Sequence, residues 1–211
     1  NLHKNYLLLK NWWESLNLTN YEKNTLNKEI ISFNQQLFRL REKKIRIGIY
    51  GKSGVGKSCI LNLLLSKNVF ETDVINGSTT KINAEEWKFQ NQSLKAIELL
   101  DSPGFDNCNN TLKEDIYSPI LNSEIILFAI AGDLNRNELA KINALIKEGK
   151  KVLVVLNKID LWNKNELKDI LKNIKLKLPK NLKIPVIINS ENNIKEYLIK
   201  IINQYGETLL L

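Results

Sequence analysis

The chain has no methionine, a single histidine and only two cysteines in 211 residues. The cysteines, Cys59 and Cys108, show no metal-ligand spacing and imply a reducing compartment. Arginine is scarce as well, occurring only at Arg39, Arg41, Arg46 and Arg136. The net charge of +8 therefore comes mostly from lysines spread along the chain, among many Asn and Ile. With no arginine-rich patch and no aromatic platforms, RNA or DNA binding is not expected; weak attraction to anionic lipid stays open. Long apolar runs are missing too. The strongest, residues 125–131, falls far short of the ~20 residues a membrane-spanning helix needs. No secretory signal is visible, and a cytoplasmic location is expected. Because the sequence starts at Asn1 without Met, we expect a fragment, whose parent protein can still be peripheral to a membrane.

What is present fits one good core plus an extension, at 43% hydrophobic residues. Residues 21–44 contain no Gly or Pro, and Leu26, Ile30, Phe33, Leu37 and Leu40 step by four and three. That spacing predicts one helix with one apolar stripe, docked on its own domain or on a partner. Before it, "YLLLKNWWESL" predicts another short helix, with Trp12 and Trp13 packed. We expect residues 1–43 to form a helical extension and 44–211 the main domain. From 44 onward strand and helix alternate. Strands are expected at 45–50, 81–89, 94–100, 125–131, 151–156 and 185–189, and helices at 57–66, 112–121, 138–148, 166–178 and 194–205. The continuous apolar strands fit a parallel sheet covered on both faces. The exception is the pair 81–89 and 94–100, which predicts a hairpin and an antiparallel edge.

The stretch "GKSGVGKS" follows a strand and opens a helix, matching G-x-x-x-x-G-K-[ST]. In such a loop, inward-pointing N–H groups bind phosphate oxygens, and Gly51, Gly54 and Gly56 let the backbone approach. Lys52, Ser53, Val55 and Cys59 complete the binding segment. Lys57 is placed to reach the β- and γ-phosphates, and the Ser58 hydroxyl to ligate Mg²⁺. A nucleoside triphosphate is the expected ligand.

"VLNKID", about a hundred residues on, chooses the base. An ionised Asp160 can accept from both N1–H and N2–H₂ of guanine, whereas adenine presents an acceptor there and leaves a carboxylate unpaired. Asn157 can bridge the base edge to the loop, and the stem of Lys158 can cover the ring. In "LLDSPGFD", Asp101 is expected to hold Mg²⁺ through water, and the Gly104 N–H to meet a γ-phosphate. "GSTTK" offers a Thr hydroxyl as a second protein ligand to Mg²⁺, Thr80 ahead of Thr79. Ser190, in "IINSEN", can brace the base.

In this order and at these intervals the five elements resemble the translation-factor-related GTPases, on the Era-like branch marked by "DSPG" and "STT", over about 44–205. The stretch "AGDLNRNELAKINALIKEGKKVLVVLNKIDLW" is similar to bacterial, especially cyanobacterial, GTPases that continue into a membrane-associated domain of unknown function. The resemblance implies an α/β fold, a three-layer α/β/α G domain with a mixed six-stranded sheet. It implies GTP/GDP and Mg²⁺ as ligands, with Lys57, Thr80 and Gly104 at the reacting phosphate. It also carries an unidentified protein effector or activator, with self-association and membrane association as further prospects. Members that use potassium carry Asn where this chain has Gly54. The water-orienting glutamine of small signalling GTPases is Phe105 here. The reading is a slow, Mg²⁺-dependent GTPase switch; its rivals are a GTP-dependent membrane or assembly module with dimer-dependent hydrolysis, and a P-loop ATPase or kinase.

Overall fold

The protein is described from a computed structural model, in which residues 2–71, 83–88, 94–106, 119–180, 184–189 and 193–205 are placed. Strands β1 (Lys44–Gly51), β2 (Asn83–Trp87), β3 (Ala96–Asp101), β4 (Ile125–Ile130), β5 (Lys151–Leu156) and β6 (Val186–Ile188) form one sheet in the order β2-β3-β1-β4-β5-β6. Only the β2–β3 pair is antiparallel, with Glu85 opposite Leu99; β3, β1, β4, β5 and β6 run parallel. The mixed six-stranded sheet and its antiparallel edge are as the sequence predicts. The residues of the "QNQ" turn lie outside the described residues.

Both faces of the sheet are covered, because β1, β4 and β5 are apolar at consecutive positions and would otherwise leave one side wet. On one face Ile45, Ile47 and Ile49 of β1 pack with Ile60, Leu61 and Leu64 of α4 (Lys57–Leu65) and with Ile194, Leu198 and Ile202 of α7 (Asn193–Tyr205). On the other, Ile126, Phe128 and Val154 meet Ile142 and Leu145 of α5 (Arg136–Lys147) and Ile170 and Ile174 of α6 (Lys164–Lys177). These are the three layers. Both α5 and α6 begin two residues earlier than periodicity alone predicts. Asn135 and Asn163 form capping boxes with Glu138 and Glu166, satisfying N–H groups that a bare helix start leaves unpaired. The helix expected at 112–121 falls largely outside the described residues; its end is a 3₁₀ turn at Pro119–Asn122.

The helix predicted over 21–44 is interrupted. It divides into α2 (Asn20–Thr25) and α3 (Asn27–Glu42) at Leu26, after α1 (Leu2–Ser15). Thr25 Oγ1 donates to the Tyr21 carbonyl at 2.9 Å, a back-bond that bends helices. The stripe is buried only at its C-terminal end: Leu37 and Leu40 are buried, Ile30 and Phe33 half-buried, and Leu26 is exposed. Phe33 packs instead on Trp13 of α1, with ring centres 4.7 Å apart. Arg39 locks α3 to the sheet, donating to Glu124 Oε1 at 2.9 Å and to the Asn122 carbonyl at 2.6 Å. Glu124 precedes β4, so this anchor sits at the N-terminal end of the parallel strands, opposite the glycine-rich loop.

Candidate functional site

The loop 52–56 leaves the C-terminal end of β1 and turns into α4 at Gly56, whose φ is +86°. A Cβ there would collide with Asn157 Nδ2, so both the backbone angle and the space require glycine. Asn157 arrives from the C-terminal end of β5. Its Nδ2 donates to the Val55 carbonyl at 2.9 Å, while its Oδ1 accepts from Asn189 Nδ2 at 2.7 Å. The segment expected to read the base is thereby tied directly to the loop expected to cradle phosphate, across 102 residues of sequence.

Lys57, in the first turn of α4, is buried and curls back over the loop. Its ammonium donates to the carbonyls of Gly51 at 3.2 Å and Lys52 at 2.7 Å. Burial pushes its pKa below the usual lysine value, and the charges of Asp101 and Asp106 work in the opposite direction. Ser58 Oγ donates to Asp101 Oδ2 at 2.5 Å, and Asp101 is 1% exposed. The neighbouring Ser102 hydroxyl donates to the Ile49 carbonyl at 2.7 Å, fixing the end of β3 beside β1. A hydroxyl and a carboxylate held this close are hard oxygen donors of the kind Mg²⁺ takes, and they fit such an ion. Among the described residues no group of three or more His, Cys, Asp or Glu side chains could hold a metal ion.

The remaining predicted residues fall around this centre. Lys158 adopts φ +55° and opens the 3₁₀ turn Ile159–Leu161, which carries Asp160 exposed at the surface. Cys59 is exposed with a free thiol. Lys52 lies 3.6 Å from the Glu138 carboxylate of α5. Gly104 follows β3 and packs over the loop at Ser53. Thr79, Thr80 and Ser190 lie outside the described residues. Two participants were not among the predicted residues. Asn189, which holds the Asn157 amide, had one signal, a polar residue at the end of an apolar strand beside Ser190. Glu138 was visible only as the third residue after Asn135.

A mixed sheet of this order, with a Gly-Lys-Ser loop between β1 and α4 and a second polar motif after β5, defines a P-loop G domain. The profile of the 50S ribosome-binding GTPases matches residues 46–158, and the chain belongs to that family. GTPase Der of Deinococcus deserti is 32% identical over 140 residues, which are 64% of this chain and 31% of that protein. A variant of Aquifex aeolicus Era, solved with GDP and AlF₄⁻, superposes with a TM-score of 0.62 at 26% identity, over 77% of this chain and 57% of Era. An Era complex with MgGDPNP and nucleotides 1506–1542 of 16S ribosomal RNA gives 0.60 at 27% identity over the same shares, 77% and 57%. The chain spans about a third of the length of the curated relatives it matches first.

Proposed function

We propose that the chain is a guanine-nucleotide switch that needs Mg²⁺ and hydrolyses GTP slowly. One observation carries this reading: the Asn157 amide bonded to the Val55 carbonyl, which joins the base-reading and phosphate-holding segments into one site. Gly56 and its neighbours admit the phosphates, and the buried Lys57 ammonium neutralises them. Ser58 and Asp101 are the residues that would hold Mg²⁺, which supplies further charge neutralisation at the reacting phosphate. Asp160, on its exposed turn, accepts the two guanine donors. GTP and GDP should therefore displace a fluorescent GDP analogue at concentrations at least about a hundredfold lower than ATP, because adenine leaves the carboxylate unpaired. Asp160→Asn should shift preference toward xanthine nucleotides. Equal displacement by GTP and ATP would return the chain to the ATPase or kinase alternative.

A second reading is favoured by Phe105, an apolar side chain where a water-orienting group is wanted. On this reading hydrolysis is completed by a second copy or another protein, and the chain serves as a membrane or assembly module. A cytoplasmic position beside a membrane, in a protein that continues into a membrane-associated domain, belongs to the same proposal; fractionation of the full-length protein tests it. The neighbour solved with ribosomal RNA weighs against leaving nucleic acid out of the partners, and a salt-dependent RNA-binding assay tests that point.

A further inference from the structure

The segment after β3 does not stand clear of the glycine-rich loop. It is seated on it. The Phe105 N–H donates to the Gly51 carbonyl at 3.3 Å, and the Ser53 N–H donates to Asp106 Oδ1 at 2.6 Å. Gly104 lies so close beneath that a Cβ would collide with the Ser53 amide nitrogen and lie 2.8 Å from Asp106 Oδ1. The Phe105 side chain is the anchor of this seat. It is buried between Tyr50 and Phe128, with ring centres 5.4 and 6.2 Å away, and the Lys141 ammonium lies 4.9 Å from its centre.

The result is a protein carboxylate inside a cradle built for anions. Ser53, which donates to Asp106, adjoins Lys52, whose carbonyl accepts from the Lys57 ammonium. Its charge is also one of the two that act on Lys57. In a loop of this pattern the lysine serves the outermost phosphates. A terminal phosphate needs the same kind of N–H donors and the same cation, and it carries the same sign of charge as Asp106.

We propose that Asp106 is an internal competitor for the terminal phosphate and so sets the preference between guanosine di- and triphosphate. The proposal rests on the nucleotide-site reading above. With the carboxylate on Ser53 the loop accepts a diphosphate unopposed, while a triphosphate must displace Asp106 and lift the 104–106 segment with it. The bond thereby links the identity of the nucleotide to the position of a segment anchored by Phe105.

The test measures, by calorimetry in Mg²⁺ buffer, the Kd of GDP and of a non-hydrolysable GTP analogue for the chain and for Asp106→Asn and Asp106→Ala. Asparagine keeps an acceptor for the Ser53 N–H but removes the charge; alanine removes both. The triphosphate should bind about tenfold tighter, relative to GDP, in the alanine variant, as expected for loss of a charge-assisted bond that had to be broken. The asparagine variant should show an intermediate gain, and GDP should change by no more than about twofold. An unchanged ratio in both variants, or a triphosphate that binds more weakly in them, overturns the proposal. Failure of the unsubstituted chain to bind GDP instead overturns the nucleotide-site reading, and the competitor with it.

Discussion

At the scale of single residues, the sequence and the structure assign Phe105 different weights. Read as the residue after Asp-x-x-Gly, it is only a missing glutamine, and its removal is expected to change the basal rate modestly. In the fold it is 4% exposed and part of an aromatic cluster with Tyr50 and Phe128. Phe105→Ala should therefore cost about 3 kcal/mol in urea denaturation, through lost burial and a residual cavity, and Phe105→Leu about 1 kcal/mol. A loss below about 0.5 kcal/mol in the alanine variant would show that the ring is not packed. Lys57 makes a second residue-scale prediction, through pH. Its native pKa lies below 10.5 because burial disfavours the ammonium, so between that lowered value and 10.5 the unfolded chain binds more protons than the native one. Its contribution to stability then rises with pH across that window. Lys57→Met has no such contribution. Melting temperatures compared from about pH 8 upward should shift in favour of the unsubstituted chain as pH approaches 10.5.

At the scale of elements, α3 is held by one guanidinium as well as by the buried end of its apolar stripe. Arg39 is 4% exposed, and it serves both the Glu124 carboxylate and the Asn122 carbonyl. Glu124 also accepts from the Arg46 N–H at 2.5 Å, so helix, strand and turn share one carboxylate. Arg39→Ala leaves that carboxylate mostly buried without its cation and should cost about 3 kcal/mol, measured by chemical denaturation. If α3 is attached mainly through Leu37 and Leu40, the loss stays under about 1 kcal/mol. This anchor was not legible in advance, because an Arg on a helix and a Glu before a strand signal nothing until the fold brings them together. What was legible was repetition of pattern: the apolar runs of β1, β4 and β5 specify a covered parallel sheet, and the "QNQ" pair an antiparallel edge. The phosphate loop was legible for the same reason, since backbone geometry dictates its glycines. The starts of α5 and α6 were readable as well, in the Asn-x-x-Glu of 135–138 and 163–166, but periodicity records only the buried face of a helix and not its cap. The break at Leu26 was hidden because the stripe continues through it; Thr25 bends the helix without interrupting the apolar spacing.

At the scale of the whole molecule, the sheet separates two tasks. Its N-terminal end carries the α3 anchor; its C-terminal end gathers Lys57, Ser58, Asp101, Gly104 and Asn157, from the ends of β3 and β5 and from the helix that follows β1. On the proposed reading these residues hold the nucleotide, and turnover asks for more. Phosphoryl transfer to water requires charge neutralisation and an attacking water held in line. Lys57 would meet the first requirement, together with the Mg²⁺ that Ser58 and Asp101 would hold. For the second, the residue after Gly104 is an aromatic ring turned into the core, and the carboxylate after that accepts from the loop at Ser53. Neither is arranged to orient a water. The intrinsic rate is therefore expected well below the ~1 s⁻¹ at the low end of ordinary enzymes, with the missing group supplied by a second copy, a protein partner or a lipid surface. Single-turnover hydrolysis followed over a range of chain concentrations checks this: a slow rate that rises with concentration identifies self-association as the source, and a slow constant rate points to a different partner. Fast hydrolysis independent of concentration would mean that the C-terminal end of the sheet already holds a complete catalytic site, with its water-orienting group outside the residues described.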